Sequence, residues 1–135
     1  SPYNGFDTHA NEAALHAGLW SDVSATIDTF MTDLREHDAS DNVTLLFFSE
    51  FGRRIVDNGS GTDHGAAGVA FAVGEHVKGG LYGEYPSLEL GKQEDGGNLK
   101  FNLDFRSIYT TLLEDWLSLD AKAIIGSSHE KVSFL

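Results

Sequence analysis

The sequence contains no cysteine. Disulfides, thiolate metal sites and cysteine nucleophiles are therefore excluded, and the redox compartment stays open. Basic residues are scarce: nine Lys and Arg stand against 21 Asp and Glu, for a net charge of −12. Nucleic acid and anionic membrane surfaces both require a positive face, so neither is expected as a partner. Ordinary solubility accounts for the acidic balance. No apolar run approaches the roughly 18 residues of a membrane span, and no signal peptide opens the chain. The first residues read Ser-Pro-Tyr-Asn-Gly, without a methionine. The expectation is a piece of a longer protein, and the missing signal then says little about location.

What is present suits one globular domain over residues 1–135, with 41% apolar residues. Pro2, Asn4 and Gly5 are turn formers. From Glu12 to about His37 the apolar residues Leu15, Leu19, Val23, Ile27, Phe30, Met31 and Leu34 recur every three or four positions, which predicts a long amphipathic helix. The polar run 38–42 ends it. Residues 43–48, VTLLFF, show no alternation, which predicts a strand buried on both faces, as in a parallel sheet with helices over it. A second apolar run, 69–73, predicts another strand. No helical period lies between the two, so the pair is expected to run antiparallel. Residues 74–103 are glycine-rich and irregular. A second helix is predicted from Phe105 to Leu117 with Asp104 as its N-cap. The tail 128–135 reads as an edge strand or a docked terminus.

The chemistry concentrates in residues 49–65, SEFGRRIVDNGSGTDHG. An unstructured connection of this length is seldom kept unless it is functional or disordered. Glu50 follows directly after a predicted strand, where ligands bind in open α/β sheets. Arg53 suits bidentate capture of a phosphate or sulfate, or else pairs with Glu50. Asp63 and His64 are flanked by glycines that let the backbone turn and approach a ligand closely. An antiparallel return brings them back beside Glu50. Asp7 and His9 form the other wall of the expected site, because alternate residues of an extended segment share a face. Carboxylate with imidazole suits zinc, manganese or iron. The plainer alternative is that Asp7 or Thr8 caps the first helix. His16 lies within reach, though a lone helical histidine is more often a packing or surface residue, and His76 reads as a loop residue.

Several patterns fail. Ser49 is not a nucleophile elbow, because Phe47 and Phe51 stand where glycines are needed. Gly59-Ser60-Gly61 lacks the Gly-Lys-Ser/Thr of a phosphate loop, and there is no His-Glu-x-x-His.

The segments GFDTHAN, FFSEFGRRIVDNGSGTDHG, VKGGLYGEYPSL, LDFRSIYTTLLEDWL and the terminal SFL resemble the C-terminal part of the domain-of-unknown-function 1501 family. The resemblance implies a sulfatase-like branch of the alkaline phosphatase superfamily. Its fold is α/β, a mostly parallel sheet with flanking helices, of which this chain holds the C-terminal part only. It also implies exported, periplasmic bacterial proteins with a twin-arginine signal, and a two-metal hydrolase site. By similarity, Asp7 and His9 match an Asp/His ligand pair, Glu50 stands where relatives carry Asp-His, and His64 matches a later metal-binding histidine. Three departures stand out. The Asp7–His9 spacing is shorter than usual. Glu-Phe replaces Asp-His at 50–51. The nucleophilic Ser or Thr and the first metal-binding Asp belong to an N-terminal part that this chain lacks.

The expectation is a metal-dependent hydrolase of phosphate or sulfate esters, incomplete in this chain. Asp7, His9, Glu50, Asp63 and His64 are the metal-site candidates and Arg53 the anion holder. Zinc is the first cofactor, with manganese or calcium as alternatives. A small anionic ester is the substrate class, and self-association covers exposed apolar surface. The rival is a non-catalytic metal-binding or structural domain.

Overall fold

The computed structural model describes residues 5–89, 91–93 and 97–135; Pro2 and Asn4, expected to turn the chain, lie outside them. Helix α1 spans Glu12–Glu36, close to the span its periodicity predicts. Neither Asp7 nor Thr8 caps it. Asn11 precedes it in the left-handed region at φ 54°. A distant turn satisfies its first amides instead: Glu12 N–H donates to the Ser60 carbonyl at 3.3 Å, and Asn11 N–H to Ser60 Oγ at 2.8 Å. At the other end Asp38 (φ 52°) and Ala39 turn back onto the last carbonyls, and a short 3-10 turn follows at Ser40–Asn42.

The strands are short. β1 (Leu45–Phe47) pairs antiparallel with β4 (Phe71–Val73), Leu45 opposite Val73. β2 (Gly52–Asp57) pairs antiparallel with β3 (Thr62–Gly65), with a register shift between Arg53 and Asp57. The antiparallel return inferred from the missing helical period is present. The unstructured connection over 49–65 is not; it is a β-hairpin. Its turn is built locally: the Asn58 side-chain oxygen accepts from the Ser60 and Gly61 amides at 3.2 and 2.9 Å, and Gly59 takes φ 98°. Asn-Gly between two β-prone runs is the ordinary chemistry of such a turn.

Both pairings among the described residues are antiparallel. β1 is half-buried along its length, and Phe48 beyond it is 65% exposed. The two-sided burial read from VTLLFF is not reached, because among the described residues β4 is its one strand partner.

α2 spans Phe105–Thr111 and runs on as a π-helical turn, Leu112–Trp116. Asp104 caps it as predicted, accepting from Arg106 N–H at 2.9 Å. α3 (Ala121–Ile125), capped by Asp120, was not anticipated; its five residues are too few to show a period. The tail docks rather than extending a sheet. Val132 and Phe134 are buried, and the fully buried Thr111 hydroxyl accepts from Val132 N–H at 2.7 Å. Val132 and Phe134, with Met31, Ala67 and Ala121, make up the buried apolar core among the described residues. Of the α1 stripe only Met31 is buried; Leu15 and Phe30 stay exposed. The surface of 9205 Å² exceeds by a third the roughly 6,900 Å² of a compact monomer of this mass. No helix among the described residues is long and apolar enough to cross a membrane.

The α2 cap is expected to weaken in acid. Hydrogen bonds from the Arg106 side chain and backbone hold the Asp104 carboxyl well below its ordinary 3.8. A carboxyl with a depressed folded pKa contributes stability above the unfolded value, and that contribution is lost as pH falls through the folded value. Thermal melts between pH 6 and 2 are expected to show wild type losing stability below about pH 4. Asp104→Ala should start lower and fall less over that range; parallel curves would exclude the cap as a source.

Candidate metal centre

Arg53 builds the junction on which the site rests. Its guanidinium donates to the Thr62 carbonyl at 2.7 Å and the Phe6 carbonyl at 2.6 Å, and reaches Thr8 Oγ1 at 3.4 Å. Glu12 Oε1 lies 3.7 Å away. The other carboxylate oxygen of Glu12 accepts from Thr62 N–H and Oγ1–H at 2.7 and 2.9 Å. This cation and carboxylate, with the Ser60 contacts and the Asn58 Nδ2 bond to the His9 carbonyl at 3.2 Å, fasten residues 6–12 to the hairpin. Charge-assisted bonds of this kind are the stronger ones.

Two glycines tighten the hairpin mouth. Gly52 and Gly65 are register partners. A Cβ on Gly52 would sit 1.8 Å from the Ala67 carbonyl oxygen, and one on Gly65 2.5 Å from the Arg53 carbonyl carbon. Both obstacles are backbone, so neither yields.

Within this frame Asp7, His9 and His64 converge, their donor atoms all within 4.8 Å of one another. Asp7 Oδ1 lies 2.7 Å from His64 Nε2 and 3.0 Å from His9 Nε2. The hydrogen bond to His64 is the main cause that lowers the Asp7 carboxyl from its ordinary value, with the charges of His64 and His9 adding to it. Asp7 and His9 do point to one place, although no strand spans them and the chain bends at His9. All three side chains are open to solvent, with 66%, 47% and 41% of their surface exposed.

Asp63 stands outside this trio but touches it. Its Oδ1 is 3.6 Å from His9 Nδ1 and accepts from Asn58 Nδ2 at 3.1 Å. The Asn58 bond is the first cause of its lowered carboxyl pKa, with His9 contributing. Each nitrogen of His9 therefore faces a carboxylate. A metal-binding imidazole commonly donates its far N–H to a carboxylate, which fixes its tautomer.

The donor set fits a metal. Two imidazoles and one carboxylate suit zinc and the later divalent first-row ions, whereas calcium prefers all-oxygen ligands. An imidazole ligates through a deprotonated nitrogen, so binding at such a set depends on pH.

The chain matches the family model of a protein of unknown function, DUF1501, over residues 2–123. It belongs to that family. No curated protein and no solved structure matches it.

Other predicted site residues of this DUF1501 chain fall elsewhere. Glu50 is exposed and joins neither the donor trio nor, among the described residues, any hydrogen bond. Arg53, expected to hold an anion or pair with Glu50, is engaged by the carbonyls, Thr8 and Glu12 just described, since the N-terminal segment reaches it first. His16 accepts from Trp20 Nε1 at 3.0 Å, and His76 lies against Trp116. Sequence reasoning missed Glu12, Asn58 and Phe51. Phe51 lies flat on His64, ring centres 3.7 Å apart and planes 7° from parallel. The Asn58-Gly59 turn signal could have found Asn58; nothing local marks Glu12 or Phe51.

Arg53→Met is expected to cost about 2–3 kcal/mol, because it strands two part-buried carbonyls and the Glu12 carboxylate. It should also weaken zinc binding at least about tenfold although Arg53 is no ligand, as lost ligand positioning does. Urea unfolding and zinc titration check both; an Arg53→Met chain with native zinc affinity would refute the clamp.

Proposed function

We propose that this DUF1501 chain is the metal-binding part of a hydrolase of phosphate or sulfate esters, sulfatase-like and related to the alkaline phosphatases. The meeting of Asp7, His9 and His64 across 57 residues of chain is the observation that carries the reading. Zinc is the proposed ion, manganese the alternative, and calcium the least suited of the three expected. Asp7 Oδ1, His9 Nε2 and His64 Nε2 would hold it. Asp63, steadied by Asn58, would stand behind His9 on the side of Nδ1. Bound there, the ion would supply a Lewis acid toward an anionic ester oxygen. The chain supplies an open approach, since all three ligands are exposed.

A second reading has its own support. Thr8, the hydroxyl residue between Asp7 and His9, is buried and faces Arg53. It is not offered to a substrate. On this reading the chain binds the ion without turnover, and a nucleophile must come from elsewhere.

Metal content of the purified chain by plasma mass spectrometry, beside Asp7→Ala and His64→Ala, tests the site. About one zinc per chain is expected, lost in both variants. Metal-dependent cleavage of aryl phosphates or sulfates, abolished in His64→Ala, favours the hydrolase; stoichiometric zinc without cleavage favours the binding domain. No metal after titration with zinc, manganese and calcium would sink both.

The surplus surface belongs to the same proposal. The β1–β4 pair would be one margin of a larger, mostly parallel sheet with flanking helices. By itself the chain would cover that margin by self-association. The surplus of roughly 2,300 Å² over a compact monomer is comparable with a sizeable protein interface. Light scattering at micromolar concentration should give a dimer or larger species. A strictly monomeric mass would end the self-association claim.

A further inference from the structure

The two imidazoles of the trio are steadied by different means. His9 has Asp63 at its far nitrogen. His64 has no such partner: among the described residues its ring makes its polar contact through Nε2, to Asp7. What His64 has instead is Phe51. Aromatic pairs usually sit offset or edge-on, with centres about 4.5–7 Å apart. The Phe51–His64 pair is parallel within 7° at 3.7 Å, so the whole imidazole face is covered. The ring of His9 lies 4.6 Å away, tilted by 32°.

Phe51 is itself constrained. Its amide donates to Ser49 Oγ at 3.4 Å. The Arg53 guanidinium carbon lies 5.2 Å from its ring centre, within cation–π range. The next residue, Gly52, is wedged against the Ala67 backbone. A ring fixed at its backbone and packed flat on an imidazole resists rotation of that imidazole about its own axis. Such rotation is what would swing Nε2 away from Asp7.

We infer that Phe51 is a positioning residue of the metal centre, setting the plane of His64 by stacking where the Asp63 carboxylate, 3.6 Å from Nδ1, flanks His9. The inference rests on the metal reading above and adds a constraint to it. The centre would be rigid at both histidines, and it would owe half of that rigidity to an apolar side chain. Loss of groups that orient metal ligands typically costs 10- to 100-fold in affinity.

Zinc competition titrations of wild type, Phe51→Leu and Phe51→Tyr test it, with the visible spectrum of the cobalt-loaded chains as a report on ligand geometry. Phe51→Leu should bind zinc about tenfold or more weakly and show an altered cobalt spectrum. Phe51→Tyr, which keeps the ring, should restore both. Native affinity in a folded Phe51→Leu chain, or failure of Phe51→Tyr to rescue, overturns the proposal. A measurement without variants guards against misfolding. In the metal-free wild type, the His64 ring protons should show the upfield ring-current shift of a stacked aromatic, and its absence also overturns the proposal. If the stack is seen but wild type binds no zinc, the metal reading falls, and a positioning role falls with it.

Discussion

The structure depends on the guanidinium of Arg53. Two parts of the chain more than 40 residues apart meet at it. They are joined by a planar cation bonding the carbonyls of Phe6 and Thr62. Glu12 completes the joint by accepting from Thr62 while opening α1. The joint serves fold and site at once. The residues it fastens are neighbours of Asp7 and His9 on one side and of Asp63 and His64 on the other. Lysine could not replace it, because its ammonium lacks the fixed fork that meets two carbonyls together.

Much of the fold was legible where physics is local. The α1 period, the Asp104 cap and the antiparallel return of β4 all follow from short-range pattern. That Asp7 and His9 lie close together was legible from their spacing, since two residues with one between them stay near each other in an extended segment or a turn. The hairpin was misread as open loop although its Asn58-Gly59 turn signal was present, because length and glycine content outweighed it. Other errors were non-local. Whether Arg53 holds an anion or a carbonyl depends on where residues 6–8 travel, and no pattern in 49–65 encodes that. Glu50 looked like a ligand because of its place after a strand, but the hairpin that follows carries His64 to Asp7 and leaves Glu50 in solvent. Phe51 seemed to be a mere substitution in a motif until its ring was seen against His64.

The core is thin, and the reason can be named. An amphipathic helix gains most of its stability from the surface that its apolar face meets. Along α1 that face meets little: Trp20 packs edge-on against Phe71 and Phe6, and Met31 is buried, while Leu15 and Phe30 are left in water. β1 shows the same deficit from the sheet side. Both elements carry more apolar pattern than the described residues bury.

That deficit gives the His64–Asp7 contact a second meaning, in polymer terms. The two residues are 57 positions apart. Any cross-link between them removes from the unfolded chain the freedom of a loop of that length, an effect of about 4 kcal/mol in the chain-entropy treatment of a covalent bridge. Small domains with meagre cores usually obtain such a bridge from cysteines. This sequence has none. An ion seated among Asp7, His9 and His64 would therefore act as a staple as well, adding to the stability that the metal-free chain already has.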